Sequence, residues 1–575
     1  MLASGAVSEP AYYRSLARHL GLSYAGDLPP LGSGTAYPET ITTGVAPLAT
    51  AETGGPAWLL APQGRRISEL LTLQRRRTLP TERFVIAPPG KLRDGVFTSC
   101  APEIAEHAAN SLAAGEPGLS ARNICGRYQT IVLGALALLL IAGLAAGGAF
   151  WLLVSFLAGS ILSGSIMIRL FATAGSCDAF SREFILAART GAGRDDDRNL
   201  PVYAIIAALY REAGVAAQFT HALQRIDYPA GKLDIKLVVE ADDDATRQAL
   251  EALDLPANFQ IISVPAGTPR TKPRALNAAL GLARGEYTCV FDAEDLPEAG
   301  QLREAAHVFA RSGETVACLQ GRLYIDNIRD SWLTRMFAIE YAALFDVINP
   351  GLAWLRMPIP LGGTSNHFRT DVLRKLWGWD DWNVTEDADL GLRLAQFGYR
   401  TEALASSTGE EAPDRPGMWM RQRRRWIKGW MQTLLVHMRS PRRSVRGMGP
   451  QPATVAFLHF AGSLLGLLLG PMFAVVTIHQ LLWGDLLSPA SAMEIVVSTC
   501  WCFVFVAGTG AALWPIFLGM KRRQLRGLTG WLASLPLYWL LQTFAAWWAL
   551  ADLIRDPFHW HKTDHGVSRA PRNRP

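Results

Sequence analysis

The sequence predicts an α/β domain with a parallel-rich mixed sheet, inserted between transmembrane helices and preceded by a small N-terminal α/β domain. Apolar runs of strand length alternate with helix-like segments between residues 200 and 264, and this alternation favours a doubly wound sheet. Long apolar runs flank that region, at residues 130–168 and from residue 453 onwards. Runs of this length without central charges are typical of membrane spans.

The composition also points to a membrane and away from several other classes. The charged fraction is 18%, which is low for a soluble protein. The net charge of +6 comes mostly from Arg and Lys beside the apolar runs, where such residues can bind anionic lipid. No basic stripe with base-reading motifs occurs, so nucleic acid is not an expected partner. The seven cysteines are scattered without a CxxC pair, which excludes a zinc-finger pattern.

Residues 1–120 are predicted to form a cytoplasmic domain with a regulatory or docking role. The stretch AYYRSLARHLGLSYA reads as an amphipathic helix, and RRISELLTLQRRR and RFVIAPPG read as a short helix and an apolar run. AYYRSLARHLGLSY resembles the N-terminal domain of type II secretion ATPases, some of whose relatives bind cyclic di-GMP. The resemblance implies docking or regulation, with a cyclic dinucleotide as one candidate partner.

The apolar runs predict the membrane organisation. Residues 129–171 are long enough for two transmembrane helices, and residues 451–556 for three to four transmembrane or interfacial helices. With no cleavable signal peptide at the start, residues 172–450 are expected to be cytoplasmic. Three further crossings would place the basic tail, residues 557–575, outside. Either the 453–483 run or the 530–554 run is therefore not a simple crossing, and an interfacial helix containing Trp547, Trp548 and Asp552 is one solution.

The middle region carries polar side chains at the ends of its predicted strands. LPVYAIIAAL, IKLVVE, FQIISV and YTCVF read as strands, with helices beginning after the first two. Ligands bind at the carboxyl ends of parallel strands, which places Tyr210, Glu212, Glu240 and Asp242 at the edge of a site. The acids at 242–244 could equally cap the following helix.

The strand YTCVF ends in DAEDLPE, where Asp292 and Glu294 flank one residue. This spacing lets both carboxylates face a hard divalent ion that also binds diphosphate oxygens. Upstream, KPRALNAAL supplies Lys272 and Asn277 on an otherwise apolar helix. Together the stretch KPRALNAALGLARGEYTCVFDAED resembles family 2 glycosyltransferases, which have a GT-A-type nucleotide-binding fold and a D-x-D motif for a metal and a nucleotide sugar.

Further motifs extend the resemblance over roughly residues 200–435. GGTSNHFR (362–369), WNVTEDADLGLRL (382–394), STGEEAP (407–413) and QRRRW (422–426) occur in order and resemble the membrane-bound, processive branch that includes cellulose, hyaluronan and chitin synthases. The resemblance implies a UDP-sugar donor, a growing polysaccharide as acceptor, Mg²⁺ or Mn²⁺ as cofactor, and a multi-pass protein of a bacterial-type inner membrane. Accessory export proteins are further candidate partners.

The stretch RQRRRWIKGW combines five cations with two tryptophans. In a helix, residues three or four positions apart share a face. The first face would carry Gln422, Arg425 and Trp426. The second face would carry Arg421, Arg424 and Lys428. The first face would serve the reaction and the second the lipid boundary. The guanidinium of Arg425 suits a diphosphate leaving group, and the resemblance assigns Gln422 to the donor site and Trp426 to stacking on an acceptor sugar. A juxtamembrane basic helix would explain Lys428 and Trp430 but not Gln422.

The TED triplet is expected to supply the base. Transfer requires a group that takes the proton of the acceptor hydroxyl, and the resemblance assigns this role to Asp387, with Glu386 beside it. Thr385 is expected to cap the helix. The helix dipole would lower the pKa of Asp387, whereas burial would raise it, and the sequence leaves both effects open. A single displacement inverts the anomeric centre, so an α-linked donor gives a β-linked product.

GGTSNHFR is predicted to form an acceptor-binding loop before a helix. Its candidate residues are Gly363, Thr364, Ser365 and Asn366. Three functions then compete: a processive synthase coupled to export, an enzyme making one transfer to a lipid-linked acceptor, and an inactive membrane signalling or secretion component. The intact motif set favours the first.

Overall fold

The computed structural model describes residues 7–49, 56–76, 78–143, 148–190, 197–483 and 491–558. Within these residues the chain forms a small N-terminal domain, a larger α/β domain and a group of long apolar helices. Most of the predicted basic tail, from residue 559 onwards, lies outside the described residues.

The N-terminal domain contains a four-stranded sheet in the order β1-β4-β3-β2. The strands are β1 (Ser23–Tyr24), β2 (Val45–Pro47), β3 (Trp58–Leu60) and β4 (Phe84–Ile86). The helices are α1 (Glu9–Leu20), α2 (Glu39–Thr43), α3 (Arg65–Arg75), α4 (Pro89–Ser99) and α5 (Ala101–Gly115). Tyr13, Leu16 and Leu20 of α1 are buried on one side of the helix, as the amphipathic pattern predicts. The predicted small α/β domain is confirmed.

Two apolar helices connect this domain to the larger one. They are α6 (Arg127–Gly143) and α7 (Gly148–Thr190). Large apolar side chains such as Ile131 and Leu138 of α6 are exposed. Because soluble proteins rarely expose a continuous apolar surface, a lipid environment fits these helices.

The larger domain contains an eight-stranded sheet in the order β7-β6-β5-β8-β11-β10-β12-β9. The strands are β5 (Tyr203–Leu209), β6 (Leu233–Glu240), β7 (Phe259–Val264), β8 (Tyr287–Val290), β9 (Leu296–Pro297), β10 (Val316–Ile325), β11 (Asn366–Arg369) and β12 (Arg400–Glu410). β7, β6, β5 and β8 are parallel neighbours, whereas β11 is antiparallel to both β8 and β10. This mixed, parallel-rich sheet confirms the predicted α/β fold class.

The helices of this domain surround the sheet. They are α8 (Ala216–Gln224), α9 (Asp244–Glu251), α10 (Lys272–Leu280), α11 (Gln301–Arg311), α12 (Trp332–Ala343), α13 (Asn349–Trp354), α14 (Thr370–Lys375), α15 (Glu386–Gln396), α16 (Pro416–His437) and α17 (Pro441–Met448). The helical interpretation of residues 421–430 is correct, since they lie inside α16. A helix follows GGTSNHFR as predicted, since α14 begins at Thr370. The second half of the motif forms β11, which pairs with β8 and β10 and was not predicted.

Three long helices follow: α18 (Pro450–Trp483), α19 (Ala492–Arg522) and α20 (Leu535–Arg555). By length and hydropathy, the described residues contain five candidate membrane spans, four of which lie in α7, α18, α19 and the segment Arg526–Arg555. The fifth, Trp332–Trp354, is 83% buried inside the protein. Protein rather than lipid therefore surrounds that segment.

Both ends of α20 contact α16. Near its start, the Tyr538 hydroxyl accepts a hydrogen bond from Arg423 at 3.0 Å. Just beyond its end, the carbonyl of Asp556 accepts one from Lys428 at 3.1 Å, and that of Pro557 accepts one from Gln432 at 2.9 Å. Both ends of α20 therefore lie beside α16.

The N-terminal domain packs directly on α10. One continuous hydrophobic core contains Val96 and Ile104 of the N-terminal domain together with Ala278 and Leu280 of α10. The Tyr37 hydroxyl donates to the carbonyl of Ala278. The two domains therefore share a core at this interface.

Candidate functional site

A cavity of about 1020 Å³ opens at the carboxyl ends of β5, β6 and β8 and continues between the membrane helices. It brings together most of the residues that the sequence predicts for the site. These are Tyr210, Glu212, Glu240, Lys272, Asp292, Glu294, Gly363, Glu386, Asp387, Gln422, Arg425 and Trp426. Residues separated by more than 200 positions along the chain thus face one space.

The turn after β8 positions the predicted metal-binding pair. Lys272, at the start of α10, forms an ion pair with Asp292 and donates a hydrogen bond to the carbonyl of Gly363 at 2.8 Å. Asp295, which the sequence did not single out, accepts a hydrogen bond from the Asp292 backbone N–H at 2.6 Å and another from the Thr364 hydroxyl. Burial raises the pKa of Asp295 well above its usual range. Asp295 therefore fixes the turn rather than facing a ligand.

The donor atoms at this turn fit a divalent cation. Asp292 and Glu294 both face the cavity, and their carboxylate oxygens are the ligands that Mg²⁺ and Mn²⁺ prefer. Among the described residues, no group of three or more His, Cys, Asp or Glu side chains is arranged to hold a metal by itself. An ion here would complete its coordination with oxygens of another molecule, as it would when bound together with a diphosphate.

Glu410, at the end of β12, is a further carboxyl group at this wall. Burial, with Glu294 and Asp292 nearby, raises the pKa of Glu410 to about 8. Glu410 lies in the STGEEAP motif, but the sequence assigned no role to this residue.

The TED triplet places Asp387 in the first turn of α15. The Ala388 backbone N–H donates to its Oδ1 at 2.7 Å. Burial, reinforced by Glu386, raises the pKa of Asp387 to about 7, although the Ala388 amide and Lys272 oppose the shift. Burial also raises the pKa of Glu386, and the positive charge of Lys272 opposes this shift only in part. Burial therefore outweighs the helix N-terminus. Thr385 occupies the N-cap position but makes no side-chain capping bond.

Two glycines permit close packing around Asp387. A Cβ atom on Gly363 would lie 3.3 Å from Asp387 Oδ2, which is tight for such a contact. A Cβ atom on Gly429 of α16 would overlap the side chain of Thr385. The absence of a side chain at both positions allows the acceptor loop and α16 to approach the TED triplet.

The first face of α16 lines the cavity. Gln422, Arg425 and Trp426 all contribute to the wall. The charge of Arg425 acts on Glu386, Asp292, Asp387 and Glu294, so its guanidinium lies among four carboxylates. The side-chain oxygen of Gln422 is buried without a hydrogen-bond partner among the described residues. This face is therefore directed at the site.

The second face of α16 does not form the expected lipid boundary. Arg424 forms an ion pair with Asp552 of α20 at 2.7 Å, and its guanidinium lies 5.0 Å from the Trp548 ring. Lys428 bonds the chain just after α20, while Arg421 is exposed. The predicted lipid boundary is wrong because α20 covers this face of α16. Local spacing carries no information about a partner more than 100 residues away.

Arg423 connects three helices and was missed by the sequence. Its guanidinium donates to both carboxylate oxygens of Glu340 on α12, each at 2.7 Å, and to Tyr538 of α20. It also lies 5.0 Å from the ring centroid of Trp426. Its position inside QRRRW was visible, but its distant partner was not. Arg423 thus holds Trp426 against α12.

The strand β6 ends at a cluster of acids with separate roles. Glu240 forms an ion pair with the fully buried Arg274. Asp243 is the residue that caps α9, since it accepts a hydrogen bond from the Thr246 backbone N–H at 3.2 Å. Asp242 does not line the cavity but pairs with Arg270 at 2.8 Å.

Arg270 forms part of the cavity rim and was not anticipated from the sequence. Its guanidinium lies 5.9 Å from the Tyr210 ring centroid, and both residues line the cavity. The rim thus presents an aromatic ring and a cation side by side, which suits a nucleotide.

Three residues of the acceptor loop are not brought to the cavity wall. Thr364, Ser365 and Asn366 are buried. Ser365 donates to the Thr408 hydroxyl at 2.5 Å, and Asn366 donates to the carbonyl of Gly362 at 2.5 Å. These residues hold the loop from behind, whereas Gly362 and Gly363 face the cavity.

Residues 287–551 match the sequence profile described as glycosyl transferase family group 2. A probable glycosyltransferase, YdaM of Bacillus subtilis (strain 168), is 28% identical over 243 residues, which cover 41% of this chain and 57% of the relative. The beta-monoglucosyldiacylglycerol synthase of Synechocystis sp. (strain ATCC 27184 / PCC 6803 / Kazusa) is 25% identical over 387 residues, which cover 64% of this chain and 76% of the relative.

Among solved structures, the mannosyltransferase PcManGT from Pyrobaculum calidifontis in complex with GDP-Man and Mn²⁺ is similar at 19% identity with a TM-score of 0.39, covering 63% of this chain and 99% of that one. The chain thus spans little more than half of the first curated relative and about three quarters of the second. The family profile and these relatives agree with the motifs found in order along the sequence. The similarity to glycosyl transferase family group 2 thus covers residues 287–551, from β8 to α20.

Proposed function

We propose that the protein is an inverting hexosyltransferase that moves a sugar from a nucleotide donor to an acceptor entering from the membrane. One observation carries this proposal: a single cavity contains Asp292, Asp387 and Arg425 at one end and is walled by membrane helices at the other. Donor and acceptor would then meet at Asp387 without the acceptor leaving the membrane surface.

The residues divide the chemistry between them. Asp292 and Glu294 would hold Mg²⁺ or Mn²⁺, which would supply positive charge for the diphosphate. Arg425 adds a second cation for the same leaving group. Asp387 accepts the proton of the acceptor hydroxyl. At the same time the hydroxyl oxygen forms a bond to the anomeric carbon, and the bond from that carbon to the diphosphate breaks. One such displacement converts an α-linked donor into a β-linked product.

The walls between the membrane helices favour a lipid-borne acceptor. They include Leu162, Ile166, Leu467, Phe473 and Val504, which offer hydrocarbon contacts rather than hydrogen bonds. A hydrated sugar chain gains little from such a surface, whereas acyl chains bury apolar area there. The name of the Synechocystis relative, beta-monoglucosyldiacylglycerol synthase, likewise describes an enzyme that forms a glycolipid. We therefore place single transfer to a lipid acceptor first.

Polysaccharide synthesis coupled to export is the second candidate. Trp501, Tyr538, Trp539 and Gln542 line the cavity, and aromatic rings can stack on sugars. Trp514, another residue available for this role by sequence, is 43% exposed and does not line the cavity. Trp501 lies beside Phe473 of the apolar wall, with ring centroids 4.1 Å apart, so aromatic rings are present among the membrane helices as well.

We infer a topology of four crossings with an interfacial α20. α6 begins beside α16, where Gln129 donates to the carbonyl of Leu435 at 2.8 Å. α19 ends on the same side, where Arg522 donates to the carbonyl of Ser176 at 2.9 Å. With α6, α7, α18 and α19 crossing and α20 lying at the surface, the chain after α20 stays beside the catalytic domain. This arrangement accounts for the basic tail on the cytoplasmic side.

The proposal is tested by product analysis. Purified protein in lipid vesicles with Mn²⁺ is given radiolabelled UDP- and GDP-sugars one at a time, and the product is partitioned between chloroform and water. Label in the chloroform phase, susceptible to a β-glycosidase and absent with Asp387→Asn, supports single transfer to lipid. Long water-soluble product supports the second candidate. No incorporation from any donor rejects both.

A further inference from the structure

The membrane-side part of the cavity contains a polar cluster outside the catalytic motifs. Arg169 of α7 and His459 and Ser463 of α18 line the same wall, and we refer to them as the Arg169 cluster. The charge of Arg169 acts on the His459 ring, so the two side chains are close together. The His459 ring also lies 5.9 Å from that of Trp430 on α16. The cluster therefore lies between the catalytic helix and the apolar part of the cavity.

The polar atoms of this cluster lack protein partners. His459 is only 5% exposed, yet both of its ring nitrogens are without a hydrogen-bond partner within the described residues, as is the Ser463 hydroxyl. Such buried groups are rarely left unpaired in folded proteins, because each costs the full desolvation penalty. Groups that face a cavity in this state are suited to a ligand.

The guanidinium of Arg169 also lacks an ion-pair partner among the described residues. Glu340 is the carboxylate whose charge reaches Arg169, but both Glu340 oxygens already accept hydrogen bonds from Arg423. In the part of the chain that the structure describes, Arg169 forms no ion pair. Arg, Lys and His inside membrane segments normally pair with an opposite charge or face a functional cavity. The cluster is therefore complementary to an anion, and a guanidinium binds phosphate oxygens in bidentate fashion.

The depth of the cluster matches that of lipid phosphates. His459 lies nine residues after Pro450, where α18 begins, and Arg169 lies nine residues before Asp178, where the apolar span within α7 ends. Each therefore lies about 13 Å from the catalytic-domain end of its apolar span at about 1.5 Å per residue. Helices of this length extend beyond the bilayer, and headgroup regions occupy the outer layers of its roughly 40–45 Å. Farther along, the wall becomes apolar, with Leu467, Val504 and Phe505.

We propose that the Arg169 cluster binds the phosphate of an anionic lipid and that this lipid is the acceptor, an assignment that rests on the proposed glycosyl transfer. The acyl chains lie along the apolar wall, and a headgroup hydroxyl reaches Asp387. In the transfer, the hydroxyl oxygen forms a bond to the anomeric carbon, the bond to the nucleoside diphosphate breaks, and the proton passes to Asp387. Phosphatidylglycerol, with a phosphate and free hydroxyls, has the required chemistry.

The test measures lipid binding separately from catalysis. Purified full-length protein in neutral detergent is titrated with radiolabelled phosphatidylglycerol, with diacylglycerol, which has a hydroxyl but no phosphate, and with inorganic phosphate as competitor. The variants are Arg169→Gln, Arg169→Lys and His459→Phe. Arg526→Gln is the matched control, since Arg526 is an exposed residue near the membrane outside the cavity. UDP binding to each variant reports whether its donor site is intact.

Loss of a charged hydrogen-bond partner should weaken phosphatidylglycerol binding about tenfold or more in Arg169→Gln. His459→Phe should weaken it as well. Arg169→Lys should weaken it less than Arg169→Gln, because the charge remains while the bidentate geometry is lost, and Arg526→Gln should bind nearly as the wild type does. Diacylglycerol should bind more weakly, and inorganic phosphate should not displace the lipid.

Three results would each overturn the assignment. The first is equal phosphatidylglycerol binding by wild type, Arg169→Gln and His459→Phe, and the second is equal affinity for diacylglycerol. The third is displacement by phosphate alone, which would indicate a free-anion site. If Arg169→Gln fails to fold and loses UDP binding, His459→Phe and the diacylglycerol comparison decide the question. If binding depends on Arg169 but the wild type transfers no sugar from any donor, the proposed function fails and the lipid site stands.

Discussion

The carboxyl group of Asp387 lies buried at the start of α15, where burial raises its pKa to about 7. A base must be deprotonated to accept a proton, so kcat/KM should rise with pH up to about 7 and level off above it. Asp387→Asn should lower kcat by roughly 10²–10⁴-fold. The exposed Asp371 provides a control, since Asp371→Asn should leave the profile unchanged. A profile that is flat between pH 5 and pH 8 would show that Asp387 is not the base.

Asp292 is the second residue whose removal has a defined consequence. Because its carboxylate and that of Glu294 offer the hard oxygens for a divalent ion, Asp292→Ala should abolish transfer while the protein keeps its fold. EDTA should have the same effect on the wild type, and Mn²⁺ should restore activity. The exposed Glu314 serves as a control in Glu314→Ala. Full activity in EDTA would rule out the metal role.

Residues in the cavity differ in how far the sequence could identify them. Asp292, Glu294, Asp387, Gln422, Arg425 and Trp426 lie inside short motifs, where spacing alone predicts a shared face or strand end. Glu340 and Arg270 have no such local signal, because their roles depend on partners elsewhere in the chain. The pKa of Asp387 belongs to the same group: helix position and burial oppose each other, and burial exists only in the folded protein.

At the scale of elements, α16 determines how the TED triplet is held. Gly429 lies against Thr385 so closely that a methyl group would overlap it. Gly429→Ala should therefore displace the triplet and lower kcat by about 10²-fold, in keeping with the cost of small displacements at a reacting centre.

A matched control is available on the same helix. A Cβ atom on Gly417 would meet only the end of the Arg421 side chain, at 3.8 Å, so Gly417→Ala should retain wild-type kcat. Steady-state kinetics of the two variants provides the comparison. Equal activity of Gly429→Ala and Gly417→Ala would show that close packing at Thr385 is unimportant for transfer.

The helical period predicted which residues of α16 share the cavity face, because positions separated by three or four residues align in any helix. It could not predict what covers the opposite face. Arg424 forms an ion pair with Asp552, and Arg423 forms one with Glu340. Each partner lies on a helix that is distant in sequence. Likewise, the pattern of GGTSNHFR gave no sign that its second half would pair between β8 and β10.

At the scale of the whole molecule, the N-terminal domain contributes to the stability of the catalytic domain. Ile104 is fully buried in the core that both domains share. Ile104→Ala should therefore lower the free energy of unfolding by about 2–5 kcal/mol, and activity should be lost at the same lower temperature as the fold. Leu73→Ala, at a position 42% exposed on α3, is the control.

Thermal melting followed by both fluorescence and residual transfer activity provides the measurement. If Ile104→Ala unfolds the N-terminal domain at a lower temperature while activity persists to the wild-type temperature, the domains are independent. In that case the domain would act only as the regulatory or docking module that the sequence predicts.

The central claim is that the acceptor reaches Asp387 through the part of the cavity between the membrane helices. Gly470 of α18 lines this part, and a side chain there would enter open space. Gly470→Trp should therefore fill the passage without disturbing its neighbours. Gly510 of α19 also has open space around it but is exposed and does not line the cavity, so Gly510→Trp is the matched control.

The decisive measurement compares sugar transfer with hydrolysis of the nucleotide sugar by water in these two variants. The account predicts that Gly470→Trp loses transfer and retains hydrolysis, because the donor site is intact and only the acceptor route is closed, while Gly510→Trp retains both. Transfer at the wild-type rate by Gly470→Trp, in protein shown to be folded, would contradict the claim.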